Sequence, residues 1–144
     1  MTAYYGTNST KRSNTVPPAI VDNGEFGGRV RVSYDEITTT TAMTTSDTIE
    51  VGVLPPNARV LGIHVTWVAH ATGRTFTLGI SGTAALFHAS QSSASAGRSD
   101  ALAAAGSGYK NTTGAPLAVI LTLAGGTLAA SAKGFTVTIF YVQD

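Results

Sequence analysis

The sequence predicts an all-β fold, an antiparallel β-sandwich of the jelly-roll type, on three observations. Apolar residues recur with period two from Gly28 onward, the pattern of half-buried strands. No long helical period interrupts them. Turn signals at Pro55-Pro56-Asn57, Ala71-Thr72-Gly73, Ser81-Gly82 and Gly125-Gly126 divide the chain into about eight strands, at the spacing that antiparallel sandwiches show. A closed barrel would meet the same conditions and stands as the alternative. No internal repeat points to a propeller or a solenoid.

The elements follow in order. Residues 1–27 lack a hydrophobic period and carry few apolar groups, chiefly Tyr4, Tyr5, Val16, Ile20, Val21 and Phe26. Ordering that many residues costs about 1–2 kcal/mol each, which these groups cannot offset by packing on themselves. We therefore expect an extended N-terminal arm over 1–27 and a single sandwich domain over 28–144. Pro17-Pro18 favours polyproline geometry in the arm, suited to lying along a partner surface or adding to a sheet edge.

In GRVRVSYD, Val30, Val32 and Tyr34 share one face, and Arg29, Arg31 and Ser33 the other. The Thr-rich run that follows is β-branched, and within TIEVGVL the residues Ile49, Val51 and Val53 alternate with Thr48, Glu50 and Gly52. Pro55-Pro56 ends this strand, because proline cannot donate to a ladder. ARVLGIHVTWVAH places Leu61, Ile63, Val65 and Trp67 together, opposite Val60, Gly62, His64 and Thr66. It is expected to form a hairpin with RTFTLGI, where Phe76, Leu78 and Ile80 point inward.

AALFHAS reads as a short strand. In QSSASAGRSDALAAAGSG the pattern weakens, and Ser99 or Asp100 is expected to cap one helical turn ending at Gly106. Tyr109 begins a further extended piece. PLAVILTL sends Leu117, Val119, Leu121 and Leu123 to one side. The terminal GFTVTIFYVQD carries apolar residues on both faces, Phe135, Val137, Ile139 and Tyr141 against Phe140 and Val142, and reads as a central strand.

Composition narrows the function. Of the 144 residues 43% are hydrophobic and only 12% charged, with a net charge of +1 and no basic block longer than Lys11-Arg12. That balance does not favour nucleic acid as a partner. There is no cysteine, so disulfides and thiolate zinc sites are excluded. The opening residues lack the apolar segment of a signal peptide and no run suits a membrane span, so cytoplasmic synthesis is expected. Asn8-Ser9-Thr10 and Asn111-Thr112-Thr113 match the glycosylation sequon and read as polar loops.

Catalytic patterns are wanting. His64, His70 and His88 do not have the spacing of a compact metal site, and His64 reads as a surface or interface residue. GISGT departs from the nucleophile elbow because Thr83 stands at the final glycine position, and it joins two strands instead of a strand and a helix. GSGYKNTTG lacks the spacing that wraps phosphates. Asp35 and Glu36, adjacent on a strand, face opposite ways, unlike the paired carboxylates of a glycosidase. We expect no enzyme, no cofactor and no metal.

YYGTNSTK, GGRVRVSYD, IEVGVLPPNARVLG, SAGRSDALAAAGSGY and VTIFYVQD together resemble small β-rich virion proteins of tailed bacteriophages, the head decoration or cement class. The resemblance implies a jelly-roll-like homotrimer on the outer capsid surface, bridging neighbouring subunits of the major capsid protein. It is a prior on function and not a mechanism. Capsid contact is assigned to Tyr4, Tyr5, Lys11 and Arg12 in the arm and to Arg29 and Arg31 at its root, where an ordinary solvated strand face is the competing reading. A minor neck, tail or fibre component of the same architecture is an alternative. So is a carbohydrate-binding module that grips a surface glycan of the host, although Trp67, the single tryptophan, shares the parity of core residues.

Overall fold

The computed structural model describes residues 28–38, 43–127 and 133–143. They form eight strands: β1 (Val30–Thr38), β2 (Thr48–Leu54), β3 (Ala58–Trp67), β4 (Thr75–Ile80), β5 (Thr83–Ser92), β6 (Gly97–Ser99), β7 (Leu117–Ala124) and β8 (Lys133–Gln143). One sheet has the order β1-β8-β3-β6 and the other β2-β7-β4-β5, and every ladder is antiparallel. Successive strands therefore change sheet at every connection except β4 to β5. This is the strand order of a jelly roll, as the sequence predicts.

The inner faces meet in one core. Val51, Leu54, Val60, Val65, Phe76, Leu78, Phe87, Val119, Leu121, Val137 and Ile139 are fully buried, each stabilising the fold by roughly 1.5–3 kcal/mol relative to exposure. Phe76 is the centre of an aromatic group, with Trp67 at 5.1 Å and Phe135 at 5.0 Å, both edge-on, and the His88 ring stacked at 5.6 Å. The Trp67 indole N–H donates to the Ser95 carbonyl at 2.8 Å. Trp67 is thus a core residue with its polar edge satisfied, and the platform that a sugar-binding reading requires is absent from it.

β8 is central, between β1 and β3, which explains why both its faces carry apolar residues. Gly125 makes the β7 turn at φ 81°, where a Cβ would lie 1.9 Å from the Gly73 carbonyl oxygen. Only glycine fits there.

Four expectations need correction. First, β3 and β4 are not a hairpin: they lie in different sheets, and Trp67 and Phe76 meet across the core instead of along a ladder. The real hairpin is β4–β5, turning at Ser81-Gly82 with Ile80 opposite Thr83. Second, two bulges shift parity. Between Glu50 and Gly52 the shift turns Leu54 inward and leaves Val53 at the surface, and between Val60 and Gly62 it turns Val60 inward and Leu61 outward.

Third, Ser99 caps no helix. Gly97–Ser99 is a strand against Val65–Trp67, and the helical-type turn comes later, with Gly106 and Ser107 N–H both donating to the Ala103 carbonyl, at 2.9 and 3.1 Å. Fourth, the Asn111 loop is not a plain polar loop, because Asn111 is fully buried. Its side-chain NH2 shares two hydrogens among the carbonyls of Leu54 (2.9 Å), Pro55 (3.1 Å) and Ala115 (2.8 Å). Its carbonyl oxygen accepts from the Thr113 N–H and hydroxyl. The backbone of 108–111 also runs beside the start of β3, with Val60 N–H donating to the Tyr109 carbonyl and Asn111 N–H to that of Ala58, both at 2.9 Å.

Candidate interaction surface

The outer face of the β1-β8-β3-β6 sheet holds the most unusual surface among the described residues. The β1 alternation is that of a half-buried strand, yet its apolar side faces outward. Val30, Val32 and Tyr34 are 60%, 53% and 62% exposed, and the neighbouring Phe140 is 36% exposed. The opposite side turns toward the interior: Ile37 is buried, Ser33 and Asp35 are half-buried, and the Ser33 hydroxyl lies 2.8 Å from where a Cβ on Gly52 would stand. Gly52, at the β2 bulge with φ 154°, thereby makes room for a polar side chain between the sheets.

Register assembles the patch. Val32 lies opposite Phe140, and Phe140 opposite Gly62. Leu61 in the β3 bulge is also exposed. Contiguous apolar surface of this kind marks a site of contact with another molecule. Sequence reasoning located these residues on one strand face but fixed attention on the arginines. The available signal was that Ile37 shares parity with Arg31, Ser33 and Asp35, so a buried Ile37 forces Val32 and Tyr34 outward.

Of the residues assigned to capsid contact, Arg29 and Arg31 are exposed at the start of β1. Tyr4, Tyr5, Lys11 and Arg12 lie outside the described residues, as does the arm. The far end of the same sheet face is polar. His64 Nδ1–H donates to the Asp100 carboxylate, and Arg98 reaches its other oxygen at 3.3 Å. These bonds, His64's first, hold Asp100 below the ordinary carboxylate range. Thr66 and Thr136 share a hydroxyl hydrogen bond.

A groove of about 230 Å³ beside them is lined by Glu36, Thr66, Val68 and Thr136 over Trp67 and Phe135. Glu36 is the one titratable side chain in its lining. Among the described residues no cluster of His, Cys, Asp or Glu is arranged to hold a metal ion.

The three histidines occupy three settings. His64 is the surface ion-pair partner just described. His88 is buried, its Nδ1–H donating to the Ala89 carbonyl at 2.7 Å, which leaves Nε2 to accept from the Ser99 hydroxyl at 2.8 Å. His70 stacks on Phe135 at 5.1 Å with neither ring nitrogen solvated or hydrogen-bonded. Burial, then the nearby Arg74 charge, lowers its pKa below the ordinary 6.5.

Because the unfolded chain then takes up the His70 proton first, stability is complete above about pH 6.5 and declines as pH falls through that value. Thermal unfolding should show this loss between pH 7 and 5.5, and His70→Phe should remove it while keeping the stack. An equal slope in the variant would refute the assignment. Loss of the Asp100 contacts belongs to a separate window, below the ordinary carboxylate value of 3.8.

Fold and surface together describe a jelly-roll sandwich with apolar residues exposed on the outer side of β1 and β8. Comparison with solved structures gives the same architecture in phage capsids. A chain of the cyanophage Pam1 capsid asymmetric unit superposes with a TM-score of 0.69 at 25% identity, over 92% of this chain and 98% of that one. A chain of the capsid of Ralstonia phage GP4 superposes with a TM-score of 0.68 at 23% identity, over 81% and 86%, and at that identity shows the fold alone. No protein-family model and no curated protein matches.

Proposed function

We propose that this chain is a structural virion protein of a tailed bacteriophage that decorates the head and stabilises it by bridging neighbouring major capsid protein subunits from outside. The observation that carries the reading is the near end-to-end likeness to a chain of the Pam1 capsid asymmetric unit, 98% of whose length is covered. The exposed apolar residues on β1 and β8 support it, since contiguous apolar surface of this kind marks sites of contact. Weak charge and the absence of a catalytic constellation among the described residues agree with a role performed by contact and not by chemistry.

Under this reading the protein acts as a homo-oligomer, three copies by the family resemblance. Each contact to the shell is then multiplied by effective concentration, so the assembly holds where one copy would leave. The outer apolar face and the arm residues Tyr4, Tyr5, Lys11 and Arg12 supply the contacts, with Arg29 and Arg31 where the arm enters the domain. A glycan-binding role has no comparable support, because Trp67 is buried and Tyr109 and Tyr141 are only partly exposed.

The test is electron microscopy of intact particles together with add-back of purified protein to heads that lack it. Hundreds of copies on the head are expected, and a dozen or fewer at a neck or tail would overturn the decoration role. Deleting residues 1–22 should lower head occupancy at least about tenfold, the loss of about 1.4 kcal/mol per bound copy. Full occupancy of the shortened protein would remove the arm from the mechanism.

A further inference from the structure

The four sheet edges of the sandwich are not equivalent. Edge strands expose unpaired backbone groups and are normally blunted by short length, bulges or charge. β6 has three residues. β2 is broken by the bulge between Glu50 and Gly52, and β5 by two register shifts against β4. β1 is different: it pairs with β8 without interruption from Val30 to Ile37, and its one irregularity falls at the end, between Ile37 and Thr38. Among the described residues nothing pairs with its other edge.

The geometry points to this edge as a two-fold contact between copies of the chain, β1 pairing antiparallel with β1 of a second copy about Ser33. The strand is self-complementary when read in reverse. Centred on Ser33, antiparallel pairing sets Arg31 opposite Asp35 of the other copy, and Asp35 opposite Arg31, on the side turned toward the interior. On the outer side it sets Val32 opposite Tyr34, twice. Directly opposed residues stand about 4.5–5.5 Å apart at Cβ, within reach of ion pairing and apolar contact.

A shift of two residues toward the C-terminus puts Ser33 against Asp35 and Tyr34 against its own copy. That register loses both charge pairs. Arg31 and Asp35 thus turn away strands that do not present opposite charges in reverse order, which is how charged edges give specificity. A second copy presents them by symmetry.

The contact also explains the apolar side of β1. Phe140 and Val32 of one copy continue into Tyr34 of the other, so the two patches merge into one row across the two-fold axis. Arg31, Val32 and Tyr34 also serve the capsid reading, and the self-contact is distinguished from it by a test on the purified protein with no capsid component.

The chain has no cysteine, so an introduced thiol is unique. Ser33→Cys should give a disulfide-linked dimer under mild oxidation of the full-length protein, and Ser90→Cys on the β5 edge should not. As a check that avoids the interior side, a mixture of Val32→Cys and Tyr34→Cys chains should link to each other at least five times more than either links to itself. Arg31→Asp and Asp35→Arg should each lower the Ser33→Cys dimer yield at least fivefold, and the double exchange should restore it. No dimer from either thiol set in a folded protein, or a double exchange no better than the singles, would overturn the contact. So would linkage of Val32→Cys chiefly to itself.

Discussion

Replacing Asn111 with alanine should destabilise the protein by about 3–5 kcal/mol, the sum of about 1–3 for a buried carbonyl left unpaired and about 0.5–1.5 for each further bond lost, in the large-effect tail of single substitutions. The polar contacts of its amide to Leu54, Pro55, Ala115 and Thr113 disappear at once. The Pro55 and Ala115 carbonyls keep a second donor, Ala58 N–H and the Thr113 hydroxyl, but the bond from the Asn111 amide to Leu54 is lost where the group is sealed from water. The amide ties the end of β2 to the loop that precedes β7, so its loss frees two connections of the sandwich together.

Asn111→Asp should be worse, because a carboxylate would face carbonyl oxygens that can only accept. Urea unfolding followed by the fluorescence of Trp67, the single tryptophan, measures both. A melting temperature lower by on the order of 10 °C is expected for the alanine variant. An unchanged midpoint would show that the network is not structural.

The second large effect is on assembly and not on stability. Val32→Ser, Tyr34→Ser and Phe140→Ser combined should lower head occupancy by at least about a hundredfold, since three apolar contacts of roughly 1 kcal/mol or more each are removed from an interface. The melting temperature should move by only a few degrees, because Val32 and Tyr34 already face water in the isolated chain and Phe140 does so in part. Occupancy equal to the unaltered protein would detach the apolar face from capsid binding. Phe140→Ser alone separates the two uses of this face: it lies one strand in from the β1 edge, so it should weaken head binding while leaving the Ser33→Cys dimer yield within about twofold.

Much of the architecture was legible in the sequence. Period-two alternation identified six of the eight strands and the core residues of β4, β7 and β8, because an inward side chain must be apolar wherever two sheets pack, and the short run AALFHAS marked a seventh, β5. Proline and glycine pairs marked the turns for reasons local to the backbone. The central place of β8 followed from apolar residues on both its faces. β6 escaped notice because three residues carry no period, and Gly97–Ser99 is a strand only because β3 offers it an edge. Parity past the two bulges escaped for a similar reason. An extra residue in one strand is defined by the strand beside it, and no single strand announces its partner.

The candidate site divides along the same line. Sequence alone determined that the chain is a β-sandwich with weak charge, without thiols and without the spacing of a catalytic or metal motif, since these depend on residue identity and short-range order. Only the tertiary structure decided that the apolar side of β1 faces out, that Asn111 is a buried hub, and that His64 meets Asp100 from 36 residues away. Each of those depends on which strand becomes whose neighbour. That choice is made by the whole core at once, through burial summed over both sheets, and it overrides the local alternation of any one strand.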